Sequence, residues 1–387
     1  MSRSVVVLSL ATVASVVLIA LAGCDDVRSA VPRGESLRVA DVLGGDDDGY
    51  ARAIEPRDFD FPEDHGPHPD FRSEWWYVTG NLDSADGRRF GYHLTFFRNA
   101  VAPEPPEPAV GHPSDWRTRQ VWMAHFAVAD VTAGEEHAFE RFQRGALGLA
   151  GARATPFAVH LADWSLRAVD PDRFAPFELR AADGDVRLTI TLDPEKAIVS
   201  QGDRGLSAKS ARPGNASYYF SIPRLAARGE LEIGGVTHRV TGSGWLDREW
   251  STSALDDDQV GWDWFALQLD DGRDLMFYRM RLAGGGADPT SSGVLVDADG
   301  RVTKLPLDDV ELEVLRRWTS PESDASYPVA WRLAAPALGL DLDVEAAFDA
   351  QELDLSVRYW EGAVDVRRHG TATRLGRGYL EMTGYAD

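Results

Sequence analysis

The residues best suited to chemistry in this sequence are two acidic side chains, Asp247 and Glu249, within the tryptophan-flanked segment 245–250. Side chains alternate along a strand, so Trp245, Asp247 and Glu249 are expected to share one face. If that face is the interior of a barrel, burial raises the pKa of a carboxyl and lets it donate a proton near neutral pH. We therefore take Asp247 as the candidate general acid and Glu249 as a second candidate catalytic residue.

Ion pairing is the alternative role for these two carboxyls. Structural networks of buried charges also shift pKa values, so a shifted pKa alone does not identify a catalytic acid. In a network of that kind, the acids at a domain junction would pair with Arg224, Arg248 or Arg279. The sequence leaves both roles open.

Aromatic side chains are concentrated near these acids, and an aromatic cavity suits an apolar ligand. The candidate ligand-binding residues are Trp245, Trp262, Trp264, Tyr218, Phe220 and His125. Core packing is the other explanation for each aromatic residue, because aromatic side chains commonly fill barrels. Glu74 precedes another aromatic segment, and we expect it to accept hydrogen bonds from backbone or arginine donors. No cofactor and no metal ligand set is predicted, since the carboxylates are scattered.

The elements that would position these residues are strands. Apolar and polar residues alternate over 186–192 and 340–345, which is typical of half-buried antiparallel strands. Asp-Gly pairs such as Asp86-Gly87 separate apolar runs, as hairpin turns do. The chain is therefore expected to be all-β, built as barrels or sandwiches, and closure is favoured because it removes exposed edges.

An internal repeat indicates two related domains. Residues 75–93 align with residues 262–278 once Ser84 and Ala85 are skipped. The two hairpins begin about half a chain length apart, so two related β domains explain the spacing. Chance similarity between aromatic hairpins is the other explanation. The domain junction is expected within residues 242–258.

The N-terminal residues have the pattern of an export signal. An apolar stretch over residues 5–21 is followed by small residues and then by Cys24, the single cysteine of the chain. This pattern resembles a bacterial lipoprotein signal, which implies removal of residues 1–23 and lipidation of Cys24. An uncleaved membrane-spanning helix is the alternative. Both tether the chain outside the cytoplasm, and the two aspartates after Cys24 favour the inner membrane.

Composition and charge exclude other partners. The chain has 40 basic and 62 acidic residues and a formal net charge of −22, so nucleic acid, which requires a basic face, is not an expected partner. A single cysteine excludes an internal disulfide and a cysteine-based zinc site. Residues 24–56 are polar and acidic, and they are predicted to form a flexible tether.

Several motifs, spread from residue 74 to residue 385, point to one family. They are Glu74-Trp75-Trp76-Tyr77-x-x-Gly80, Gly91-Tyr92-His93-Leu94-x-Phe96-Phe97-Arg98, Ala124-His125-Phe126-Ala127-x-x-Asp130, Gly244-Trp245-Leu246-Asp247-Arg248-Glu249-Trp250, Tyr359-Trp360-Glu361-Gly362 and Gly378-Tyr379-Leu380-Glu381-Met382-Thr383-Gly384-Tyr385. Together they resemble the AttH-like and carotenoid 1,2-hydratase (hydroxyneurosporene synthase) family.

This resemblance implies two lipocalin-like antiparallel β-barrels in tandem. The predicted division is a signal peptide over 1–23, a tether over 24–56, a first domain over 57–248 and a second domain over 249–387. It also implies one of two functions. In the carotenoid hydratases an acidic residue protonates an alkene and water captures the carbocation. The AttH-like envelope proteins, often lipoproteins encoded beside transporter permeases, have poorly defined ligands.

The motifs match the hydratase pattern only in part. Asp247 stands where the hydratase pattern has its catalytic Asp, but Trp245 replaces a Tyr of that pattern and residues 218–220 lack its His. We therefore favour a lipoprotein of the cell envelope that contacts the bilayer through Cys24, binds a hydrophobic lipid or isoprenoid, and serves an ABC-type transporter permease. The alternatives are a hydro-lyase that adds water to a C=C bond of an isoprenoid, with Asp247 as general acid, and a purely structural protein of the cell envelope.

Overall fold

The structure, a computed structural model, describes residues 47–103, 114–252 and 255–386. The predicted signal peptide, the predicted lipidation site Cys24 and the first part of the predicted tether lie outside the described residues. Within the described ranges, no helix has the length and apolar character that a membrane crossing requires.

The described end of the predicted tether packs against the folded body. Ala53 is fully buried, and the Tyr218 hydroxyl donates a hydrogen bond to the Glu55 carbonyl over 3.1 Å. Residues 47–56 therefore make ordered contacts, because the body supplies the apolar surface and the hydrogen-bond donors that this polar stretch lacks on its own.

The first sheet has 13 strands. They are β1 Ser73–Ser84, β2 Arg89–Ala100, β3 Gln120–Asp130, β4 Glu135–Arg144, β5 Ala150–Arg153, β6 Ala158–Leu161, β7 Trp164–Ala168, β8 Phe177–Asp183, β9 Val186–Pro194, β10 Val199–Ser200, β11 Leu206–Ala208, β12 Ala216–Ile233 and β13 Val236–Ser251. The order across the sheet is β4-β3-β2-β1-β13-β12-β9-β8-β7-β6-β5, and β10 and β11 pair with β12.

The second sheet has 10 strands. They are β14 Gln259–Leu269, β15 Asp274–Leu282, β16 Ser292–Val296, β17 Val302–Pro306, β18 Glu311–Thr319, β19 Ser326–Ala335, β20 Leu340–Ala346, β21 Glu352–Leu353, β22 Tyr359–Arg368 and β23 Arg374–Met382. The order is β17-β16-β15-β14-β23-β22-β20-β19-β18, with β21 paired to β22. Short 3-10 helices cover Glu63–His65, Leu307–Asp309 and Pro336–Leu338.

Alternating side chains build a separate core in each sheet. In β9, every second residue from Val186 to Leu192 is buried in the first core. In β20, Leu340, Leu342 and Val344 belong to the second core. The protein is thus almost entirely β, and each sheet is a barrel or half-barrel around its own core. This confirms the predicted fold class.

The repeated hairpins occupy equivalent places in the two sheets. The β1–β2 hairpin is bordered by β13, and the β14–β15 hairpin is bordered by β23. Strand β13 continues through residue 248 to Ser251, and β14 begins at Gln259. The first sheet therefore ends, and the second begins, a few residues beyond the predicted division.

A buried ion cluster joins the two sheets at Asp274. Its carboxylate is paired with Lys196 and Arg224 of the first-sheet region, each over 2.7 Å. Asp274 is fully buried, and burial outweighs these partners and raises its pKa. Asp274 is therefore the counter-charge of both cations, at a position that water does not reach.

Asp274→Asn is expected to lower the free energy of unfolding by about 3 kcal/mol, because two cations lose their counter-charge. Urea denaturation measures this loss. Asp271→Asn is the matched control: its pair with Arg273 is partly exposed, so removing it costs less than about 1 kcal/mol. Equal losses for the two variants would show that the cluster does not stabilise the contact between the sheets.

Candidate functional site

A cavity of about 150 Å³ lies between the two sheets. A cavity of this volume holds a benzene-sized molecule. A third apolar cluster, separate from the cores of the two barrels, packs around it. Its larger members are Tyr77, Tyr219 and Trp245 of the first sheet and Trp264, Met276 and Tyr278 of the second.

Three rows of cross-strand partners form the walls. The first sheet contributes the row Glu249, Trp75, Phe97 and Met123 and the row Asp247, Tyr77, Thr95 and His125. The second sheet contributes the row Glu361, Glu381, Trp264 and Tyr278. The two first-sheet rows lie two residues apart on each strand, so their side chains share one face.

Trp245, Asp247 and Glu249 share a face, as predicted, but this face does not point into a barrel. The intervening Leu246 belongs to the core of the first sheet, whereas Trp245 packs in the cluster between the sheets. The barrel interior, considered above as one place where these side chains could be buried, is therefore not where they lie. The second sheet, rather than the barrel interior, removes these side chains from water.

Asp247 is held in the cavity wall by three neutral donors. Its carboxyl accepts hydrogen bonds from the Tyr219 and Ser221 hydroxyls and, over 2.7 Å, from the Trp245 indole N–H. Burial raises the pKa of Asp247 to about 7, although the three donors act in the opposite direction. A carboxyl with this pKa is partly protonated at neutral pH and can donate a proton to a ligand.

Glu249 has a cationic partner. It pairs with Lys209 over 2.8 Å and accepts a hydrogen bond from the Ser217 hydroxyl. The arginines considered as alternative partners pair elsewhere: Arg224 with Asp274, Arg248 with Glu74 and Arg279 with Asp263. Of the two roles that the sequence left open, pairing with these arginines is therefore not found, and Lys209 balances the charge of Glu249 in the cavity wall.

Glu361 and Glu381 are two acids of the cavity that the sequence interpretation did not select. They are direct partners on β22 and β23. Burial raises the pKa of Glu381 to about 7, and burial together with the nearby Glu381 raises the pKa of Glu361 well above its ordinary range. The cavity therefore has acidic groups on both of its walls.

A sequence signal for Glu381 is present in the repeat. Residues 244–247 are Gly-Trp-Leu-Asp and residues 378–381 are Gly-Tyr-Leu-Glu. In the structure Asp247 pairs with Tyr77, and Glu381 pairs with Trp264, the residue that the repeat aligns with Tyr77. The two acids thus occupy equivalent positions of the two sheets.

The predicted aromatic residues divide between two places. Trp262 and Trp264 line the cavity, whereas Tyr218 and Phe220 do not. The latter two pack with Trp250 in a cluster on the other face of β12 and β13. Because side chains alternate along β12, Tyr219 points into the cavity in their place. Trp245 lies behind the wall and acts through its hydrogen bond to Asp247.

Two histidines lie near the cavity, one in its wall and one, His93, within 3.5 Å of the Glu361 carboxyl. His125 lines it, and its ring nitrogens lie 2.8 Å from the Tyr359 hydroxyl and 3.1 Å from the Glu140 carboxylate. His93 is fully buried, and burial lowers its pKa to about 3. Within the described ranges, no group of three or more His, Cys, Asp or Glu side chains is placed to hold a metal ion.

The fold and the cavity define a class of protein in which two lipocalin-like barrels form an aromatic and acidic cavity between them. Residues 52–385 match the AttH-like family. The chain therefore belongs to this family, as the motifs predicted. No curated protein matches the chain.

Solved structures share this fold. The chain is 35% identical to a protein assigned as AttH (NE1406) from Nitrosomonas europaea, with a TM-score of 0.76 over 87% of this chain and 99% of that one. It is 15% identical to kievitone hydratase from Nectria haematococca, with a TM-score of 0.62 over 87% of this chain and 96% of that one. The second likeness shows the fold alone.

Proposed function

We propose that the chain binds a small, largely apolar ligand in the cavity between its two sheets. The cavity carries this proposal: aromatic side chains form much of its wall, and Asp247, Glu361 and Glu381 supply polar groups that would orient a ligand. An acyclic carotene is several times larger than the 150 Å³ of this cavity, so only the end of such a chain would fit.

We further propose that the protein works at a membrane surface outside the cytoplasm. The support is the lipoprotein-like signal that ends at Cys24. A formal net charge of −22 disfavours docking on anionic lipid, so the lipid anchor would hold the protein in place. A transporter permease as partner is proposed from the sequence resemblance alone.

A second function, acid-catalysed hydration, is favoured by the pKa of about 7 at Asp247 beside the Tyr219 and Trp264 rings. The Asp247 proton would add to one alkene carbon, using the π electrons to form the C–H bond. The neighbouring carbon would become a cation that the aromatic faces stabilise. Water would then form the C–O bond, and its proton would return to the Asp247 carboxylate.

Native mass spectrometry of the protein, purified from the membranes of its own host, tests both functions. A carrier is expected to retain a ligand of the same mass in wild type and in Asp247→Asn. A hydratase is expected to carry, in wild type, a product heavier by one water than the molecule trapped by Asp247→Asn. The same spectra test the anchor, since a lipoprotein begins at an acylated Cys24.

The exposed Asp308 provides the control variant, Asp308→Asn, which is expected to match wild type in every spectrum. If wild type carries no ligand, and takes none up from a lipid extract of the host, the binding proposal fails. A chain that retains Met1 without added acyl mass contradicts the anchor.

A further inference from the structure

Three acidic groups of the cavity lack a lysine or arginine partner among the described residues, unlike Glu249 and Glu74, which are paired. Asp247, Glu361 and Glu381 line the cavity, and among the described residues no Lys or Arg forms an ion pair with any of the three. His93 lies 3.5 Å from Glu361 but is neutral, since burial lowers its pKa to about 3. A buried carboxyl without a counter-charge takes up a proton, as the raised pKa values of Glu361 and Glu381 indicate, and a cation bound beside it would favour the ionised form again.

Glu361 has an open acceptor position. Its Oε1 accepts a hydrogen bond from the Tyr77 hydroxyl over 2.7 Å, and the Tyr359 hydroxyl lies beside the same carboxyl, whereas its buried Oε2 forms no hydrogen bond of ordinary distance and angle among the described residues. The side chain is 1% exposed and lines the cavity. Its neighbour across the strands is Glu381, and Cβ atoms at such positions lie about 5 Å apart. One positive group beside the pair would interact with both carboxyls.

The chain already places one ammonium group against this cavity. Lys209 pairs with Glu249 over 2.8 Å, and its Nζ lies 5.3 and 4.6 Å from the ring centroids of Tyr219 and Tyr278. This combination of carboxylate and aromatic faces is one that stabilises a cation. The same combination recurs at Glu361 and Glu381, beside the Tyr77 and Trp264 rings, whose centroids are 5.2 Å apart, but there without a cation.

We propose that the ligand of this cavity carries a positively charged nitrogen, a quaternary or protonated amine, which binds against Glu361 and Glu381 beside the Tyr77 and Trp264 rings. This inference rests on the proposed binding function and names the ligand class. The apolar part of such a ligand would pack against the aromatic side chains of the cavity wall. The positive nitrogen would supply the counter-charge that the two carboxyls lack.

Calorimetric titration of the purified full chain tests the proposal with two matched probes. Choline carries a quaternary nitrogen, and neohexyl alcohol has the same shape with carbon in its place. The wild type is expected to bind choline about thirtyfold more tightly than neohexyl alcohol. In Glu361→Gln and in Glu381→Gln this preference should fall toward equality, whereas the exposed Glu311→Gln should retain it.

The ratio of the choline affinity to the neohexyl alcohol affinity distinguishes removal of the carboxyl charge from misfolding. A misfolded variant would bind neither probe, whereas a folded variant without the charge would bind both with similar affinity. Equal affinities in the wild type, or tighter binding of the alcohol, would overturn the charged-ligand inference and leave the binding proposal standing. Failure of both probes, together with an empty cavity in the mass spectra described above, would overturn both. Retention of the full choline preference in both Gln variants would exclude these carboxyls as its source.

Discussion

Replacing Glu74 by Gln is expected to lower the free energy of unfolding by about 3–5 kcal/mol. Glu74 is fully buried and pairs with Arg98 and Arg248, which are buried as well. These two cations hold the pKa of Glu74 well below its ordinary range, against the effect of burial. A neutral amide at position 74 would leave two guanidinium groups in the interior without a counter-charge.

The two arginine side chains cannot move into solvent without losing further hydrogen bonds, because they also donate to backbone carbonyls. Arg98 donates to the Phe71 carbonyl over 2.7 Å, and Arg248 donates to the Gly66 carbonyl over 2.5 Å. The expectation that Glu74 accepts hydrogen bonds from arginine donors is thus confirmed. Its role is to join the segment that precedes β1 to strands β2 and β13.

Urea denaturation of wild type and Glu74→Gln measures the effect. Glu178→Gln is the control: this glutamate pairs with Arg167 and Arg180, which are each about half exposed, and such pairs contribute less than about 1 kcal/mol. A loss for Glu74→Gln no larger than that of the control would contradict the network. If the Gln variant does not fold, Arg98→Lys, which keeps the charge but loses the two-pronged geometry, is expected to give a smaller loss in the same assay.

Asp247→Asn is expected to change how stability depends on pH. The folded protein raises the pKa of Asp247 from 3.8 to about 7, so between these values the folded chain holds a proton that the unfolded chain releases. This bound proton stabilises the folded chain relative to the unfolded chain. The stabilisation is fully present below about pH 4 and is lost as pH rises to about 7, and its total is about 4 kcal/mol. Asn has no proton to lose, so the variant lacks this dependence.

The measurement is the free energy of unfolding of both proteins at a series of pH values. Wild type minus Asp247→Asn should fall by about 4 kcal/mol between pH 4 and pH 8, and titrations shared by the two proteins cancel in the difference. The same subtraction with the exposed Asp308→Asn should give a flat line. A flat line for Asp247→Asn would mean that the Asp247 carboxyl is not buried as described, and general-acid chemistry would lose its basis.

Strand periodicity was informative where one face of a strand is polar. Along β9 and β20 the apolar residues alternate with polar ones, and the pattern alone predicts a strand and its inward face. The aligned hairpins likewise predicted two related units, because a repeat in sequence preserves its turns and strand lengths. Both inferences use only the order of residues along the chain and the number of residues between the repeated segments.

Strands that are buried on both faces do not reveal which face meets which partner. Almost every residue of β1 and of the second half of β13 is buried, so alternation could group Trp245, Asp247 and Glu249 but could not say what covers them. The same ambiguity led to the choice of Tyr218 and Phe220, although the cavity receives Tyr219.

The residue pattern alone was thus enough to predict the all-β class, the tandem repeat and the AttH-like family, and to select Asp247 as a candidate acid. Only the tertiary structure placed Asp247 opposite Glu361 and Glu381, which follow it in sequence by more than a hundred residues. The physical reason is that the cavity arises from the outer faces of two sheets. Its chemistry therefore depends on how the second sheet packs against the first, which no spacing within one strand encodes.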